Sequence, residues 1–69
     1  RLGNLPRAIE ILSAAYRKRP DAEIAAHLGE ALWVAGRRDE ARKIWREGLI
    51  TASDNETLLS TLKRLQVQP

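Results

Sequence analysis

From Ala22 to Asn55 the chain reads AEIAAHLGEALWVAGRRDEARKIWREGLITASDN, and the placement of its small and large apolar residues decides the fold. Ile24, Ala25, Leu28, Ala31, Leu32 and Ala35 recur at three- and four-residue spacing, which predicts a helix over Ala22–Ala35 with one apolar face. Asp21 stands ready as its N-cap. Ala41, Ile44, Trp45, Gly48 and Leu49 make a second such face over Asp39–Thr51, opposite Arg42, Lys43, Arg46 and Glu47. Gly36-Arg37 separates the two helices. Gly29 lies in the middle of the first, where Gly costs about 1 kcal/mol relative to Ala. Close approach of a neighbouring helix is the expected compensation.

The same reading extends outward. Upstream, Ala8, Ile9, Leu12, Ala15 and Tyr16 share one face of a helix predicted over Leu5–Arg19, with Pro6 in its first turn and Arg17, Lys18 and Arg19 at its negative end. Downstream, Leu58, Leu59, Leu62 and Leu65 line a helix predicted over Glu56–Val67. Ser53 and Glu56 have capping-box spacing there, with Ser53 as the expected N-cap. Gly3-Asn4, Pro20-Asp21 and Ser53-Asp54-Asn55 are the remaining turn signals. Helix-forming Ala, Leu, Arg, Glu and Lys dominate the composition. The expected fold class is therefore all-α, with four antiparallel helices.

A chain of 69 residues is at most one small domain and buries little surface on its own. It has no Cys for a disulfide or thiolate-metal site. Its longest uncharged apolar stretch, Ala31–Ala35, is far too short to span a membrane. Twelve Lys and Arg against nine Asp and Glu give a net charge of +3, with the two signs interspersed as on solvated helix faces. The start at Arg1, without Met or a signal peptide, reads as a piece of a longer protein.

The first and third helices are copies. Gly3 and Gly36, Ala8 and Ala41, Leu12 and Trp45, Ala15 and Gly48, Tyr16 and Leu49, and Asp21 and Asp54 all lie 33 positions apart. The fourth helix repeats the second at an offset of 34, Leu28 matching Leu62 and Asp21 matching Asn55. A fixed period of this size marks a stacked helical array. With Leu28-Gly29, Leu32, Gly36, Ala41, Trp45 and Gly48 in place, Ala22–Asn55 resembles the tetratricopeptide repeat, and the likeness covers nearly the whole chain. Two positions depart from the family pattern: Ala25 holds its early Trp position, and Ser53 its terminal Pro.

The resemblance implies antiparallel helix-turn-helix units, a piece of an α-solenoid. Residues 1–20 are then the second helix of an incomplete unit, 22–55 a full unit, and 56–67 a polar C-terminal capping helix, since Lys63 falls where a repeating unit carries Gly. The pattern is most similar to the last repeats of long bacterial tetratricopeptide proteins, including outer-membrane lipoproteins. The compartment stays open between cytoplasm and, for a lipoprotein, periplasm. The implied function is a scaffold or adaptor that binds a protein or peptide on the concave face.

That face would carry Glu23, Ala26, His27, Glu30, Trp33 and Val34, with Lys63 adding a local basic group. Trp33 has two readings, as an anchor for the partner or as packing against the next helix. Glu23, His27 and Glu30 occupy positions where some relatives hold a C-terminal carboxylate with Lys, Asn and Arg, so such a clamp is not expected; a basic or apolar peptide suits them better. Self-association through the exposed face of the first helix is a further expectation.

No catalytic constellation is legible. His27 is the only His, no nucleophile has a base at readable spacing, and the four Gly are scattered rather than gathered in a phosphate loop. No cofactor or metal is expected. The basic run Arg37, Arg38, Arg42, Lys43 and Arg46 supports an alternative, an RNA-associated repeat. Ala41-Arg42-Lys43-Ile44-Trp45 is similar to a segment of half-tetratricopeptide repeats in RNA-processing proteins. Asp39, Glu40 and Glu47 interrupt that run, and a solvated helix face is the stronger reading.

Overall fold

The computed structural model describes residues 4–69. Gly3, the first turn signal, lies outside the described residues. Four helices follow in order: α1 (Leu5–Lys18), α2 (Ala22–Val34), α3 (Arg38–Thr51) and α4 (Glu56–Leu65), with no strand among the described residues. Helix α2 is central and packs against each of the other three.

The core forms where α2 meets α3. The Trp45 side chain is completely buried, and its indole N–H donates to the Ala26 carbonyl at 3.4 Å. The ring lies directly over Gly29. A Cβ at Gly29 would come within 2.5 Å of Trp45 Cδ1 and Cε2, and closer still to Nε1. The mid-helix glycine is thus explained by one side chain. Gly48 plays the matching part on α3: a Cβ there would stand 2.9 Å from that of Ala25 and 3.0 Å from Leu58 Cδ2. Small residues let the axes approach, and large ones fill the remaining space.

Several ends differ from the sequence reading. Helix α1 stops at Lys18 rather than Arg19, because Pro20 biases the residue before it away from helix. Ala35 is the C-cap of α2 rather than its last turn, and Gly36 beyond it adopts φ +87°, open to Gly at little cost. Helix α3 begins one residue early, at Arg38. The N-cap of α4 is Asn55, not Ser53: its side chain accepts from the Leu58 N–H at 2.9 Å. Asp21 caps α2 in the same way, accepting from Ile24 N–H at 3.0 Å. The 34-residue offset that pairs Asp21 with Asn55 therefore locates the cap better than the capping-box spacing does. Helix α4 ends at Leu65, short of Val67, because Gln66 turns left-handed and the Val67 N–H returns to the Leu62 carbonyl, a Schellman closure.

The outer face of α4 is polar. Ala22, Ala25, Ala26 and Gly29 of α2 are all buried, whereas their counterparts 34 positions on, Glu56, Leu59, Ser60 and Lys63, are all exposed. At the other side of the stack, Ile9 and Tyr16 are the buried residues of α1, and Ile11 is 55% exposed.

Two stability predictions follow from these contacts. Gly29→Ala gains about 1 kcal/mol of helix propensity but overpacks the Trp45 ring, and overpacking costs about 1–3 kcal/mol. The expected net effect in urea unfolding is destabilisation. Combined with Trp45→Leu, the residue that α1 carries at Leu12, the loss falls below the sum of the two single losses. Asn55→Ala should cost about 1 kcal/mol while Ser53→Ala leaves the unfolding midpoint nearly unchanged.

Candidate partner-binding site

The five residues singled out from the sequence fall on four different surfaces. Glu23 and Glu30 both point across from α2 to α4. The Glu23 carboxylate accepts from Thr57 Oγ1 at 2.6 Å and from Asn55 Nδ2 at 3.2 Å. These two bonds, that of Thr57 first, hold its carboxyl below the usual carboxylate range. Glu30 Oε1 accepts from Arg64 Nη2 at 2.8 Å. Thr57 and Arg64 each lie 34 positions beyond their partners. Both bonds therefore span one repeat step, and both carboxylates are already engaged.

His27 is exposed and lies at the side of α2 nearer α1. There, with Glu30, it rims a trough of about 250 Å³ whose walls are Leu5, Ala8 and Leu12 of α1 and Ala31 and Val34 of α2. Val34 is 47% exposed. Ala26, expected on the open face, is fully buried beneath Trp45. Lys63 lies on the far side of α4, in a shallow hollow with Glu56, Thr57, Leu59 and Ser60.

Trp33 belongs with α3. Its ring centroid is 5.6 Å from that of Trp45, the planes inclined by 39°. The guanidinium carbon of Arg38 stands 4.4 Å from the Trp33 centroid, and that of Arg42 5.3 Å. Cations at such distances are attracted by the ring quadrupole. The aromatic surface is thus occupied from within the molecule. Elsewhere in the basic run, Arg37 makes a two-pronged ion pair with Glu40, its Nε at 2.6 Å and Nη2 at 2.9 Å, and Arg42 lies 3.5 Å from Asp39.

A second concavity escaped the sequence reading. Ser13, Tyr16 and Arg17 of α1 face Glu40, Lys43 and Glu47 of α3 across a cleft of about 260 Å³ floored by Leu28 and Leu32. The Tyr16 hydroxyl donates to Glu47 Oε1 at 2.9 Å. Helical periodicity marks Tyr16 as core, but the signal for its partner is tertiary. Glu47 shows its role only once α1 and α3 face each other across the cleft.

Among the described residues, no group of three His, Cys, Asp or Glu is placed to hold a metal. No helix among the described residues is long and apolar enough to cross a membrane.

Burial, together with the Glu47 carboxylate that holds the proton, pushes the Tyr16 phenol from 10.0 up to about 12. The folded chain resists ionisation more than the unfolded one, so this contribution to stability is whole below pH 10.0 and declines as pH rises towards about 12. Titration of phenolate absorbance should show the raised midpoint. Glu47→Gln should bring it only part of the way back, because burial is the larger cause.

Residues 1–65 match the family model described as tetratricopeptide repeat. No curated protein and no solved structure matches the chain. With a match over nearly its whole length and four helices that pack as shifted copies, the chain belongs to the tetratricopeptide repeat family, whose members generally mediate protein–protein interaction.

Proposed function

We propose that this chain is an adaptor module that holds an apolar segment of a partner protein in the trough between α1 and α2, with Ala22–Asn55 as its full repeat and α4 as a polar cap. The observation that carries this reading is the open apolar floor of Leu5, Ala8, Leu12, Ala31 and Val34, rimmed by His27 and Glu30. Concave, mostly apolar surfaces with a few polar groups at the edge are where binding energy concentrates. The rim also selects. The Glu30 carboxylate, paired with Arg64, adds no free charge that would draw a basic group in, while the His27 ring can hydrogen-bond a peptide backbone.

Trp33 and Lys63 stand outside this reading, the first because Arg38 and Arg42 cover its ring, the second because it faces away. The capping role of α4 is supported by the exposed Glu56, Leu59, Ser60 and Lys63, which replace small buried residues of α2. No catalytic step and no cofactor enters the proposal.

Peptides selected from a random display library on the 69-residue chain provide the test. The expected binders are apolar, lack acidic residues at the anchoring positions, and lose affinity about tenfold or more on Val34→Glu or Ala8→Glu, with Arg17→Glu as an unaffected control. Binders indifferent to both trough substitutions would place the interaction elsewhere and end the proposal.

A further inference from the structure

The geometry points to a second docking surface, on the outer flank of α3, for an acidic amphipathic helix of a partner protein. It is separate from the trough between α1 and α2, and neither depends on the other.

The internal repeat relates this flank to one on α1. Within the molecule, Ser13, Tyr16 and Arg17 of α1 face α3 across an open cleft, bridged by the Tyr16 hydroxyl bond to Glu47. Shifted by 33 positions, those three residues become Arg46, Leu49 and Ile50. These three mark the matching flank of α3. On α3 it is open: Arg46 is exposed and Ile50 is 86% exposed, the largest exposure among the large hydrophobic residues described.

The chemistry of the flank differs from that of α1. Where α1 has Ile9 and Ser13, α3 has Arg42 and Arg46. Arg38, Arg42, Arg46 and Ile50 succeed one another at four-residue intervals, one row along the helix. Like charges at this spacing destabilise a helix. Two of the three are nonetheless held in place, stacked on Trp33 at 4.4 and 5.3 Å. Among the described residues, Arg38 and Arg46 have no ion pair, and the Arg42 partner, Asp39, is fully exposed at 3.5 Å. The row is thus three guanidiniums, two of them prepositioned, ending in a bare aliphatic side chain. A helix with carboxylates one turn apart, followed by an apolar residue, complements each element of it.

Two other occupants fit less well. Single-stranded nucleic acid needs aromatic faces for its bases to stack on, and the Trp33 face is taken by the guanidiniums. A phosphate backbone also offers nothing to Ile50. A second copy lacks the complementary face, because Glu23, Glu30 and Glu40 are engaged within the chain and no described helix sets two unengaged carboxylates one turn apart.

The test uses a fluorescently labelled Ala-based helical peptide with Glu at three successive four-residue steps and Leu one step beyond. The comparison is a peptide of equal composition with its Glu spread around the helix. Fluorescence anisotropy should show the patterned peptide binding about tenfold more tightly, with affinity falling as salt rises from about 50 to about 200 mM. Arg46→Glu should lower affinity about tenfold, Arg46→Lys should retain most of it, and Ile50→Ser should lose several-fold. Arg46→Gln, with helix content checked by circular dichroism, separates lost binding from lost folding.

Equal binding of the two peptides, or indifference to Arg46→Glu, overturns the inference. So does tighter binding of a single-stranded RNA oligonucleotide that is lost on the same substitutions. Sedimentation showing self-association abolished by Ile50→Ser overturns it as well.

Discussion

The stack depends on one contact, the Trp45 indole laid against the bare backbone of Gly29. An indole is the largest side chain, and its full burial is worth about 3–5 kcal/mol relative to a truncated residue. That gain requires α2 to offer a flat surface, which only glycine provides at this point. The ring also requires an acceptor for its N–H, because an unpaired buried donor would forfeit much of the gain. The Ala26 carbonyl supplies it. Ala25 and Gly48 close the remaining distance between the two axes. Everything further out is arranged around this pair. Trp33 leans on Trp45, and Arg38 and Arg42 lean on Trp33.

Repetition then decides which surfaces are dry and which are wet. Helix α2 is apolar on several sides because it meets three neighbours. Helix α4 meets α2 on one side, and its opposite side exchanges small residues for Glu56, Ser60 and Lys63. Helix α1 keeps apolar groups towards the trough. The two edges of the stack are thus chemically distinct, one apolar and one polar, which makes them suited to different neighbours.

Most of the fold was legible in the sequence because helix periodicity and the repeat offset report independent constraints that agree. Gly29 is instructive: its mid-helix cost signalled close approach, although only the folded chain identifies the Trp45 ring as the cause. Legibility failed where two local signals competed, as at Ser53 and Asn55. The offset of 34 carried the right answer there, and the capping-box spacing did not.

The sequence placed the five candidate residues on their helices but not against their neighbours. Glu23, His27, Glu30, Trp33 and Lys63 all lie on helices foreseen from sequence. Their partners, Thr57, Arg64, Arg38 and Arg42, were set by packing angles that periodicity does not contain. Roughly 120° about the α2 axis separates His27, which is exposed, from Trp33, which packs on Trp45.

The bonds that join one step of the array to the next have a mechanical consequence. Within a unit, α2 and α3 are fastened by a dry, interlocked core. Between units, α2 and α4 share a much smaller interface, edged by Glu23 with Thr57 and Asn55 and by Glu30 with Arg64. Exposed polar links of this kind are individually weak, and the charged one is screened by salt. Added salt therefore weakens this edge first, while Leu58 and Leu62, buried in the same apolar core as Trp45, keep α4 seated on α2.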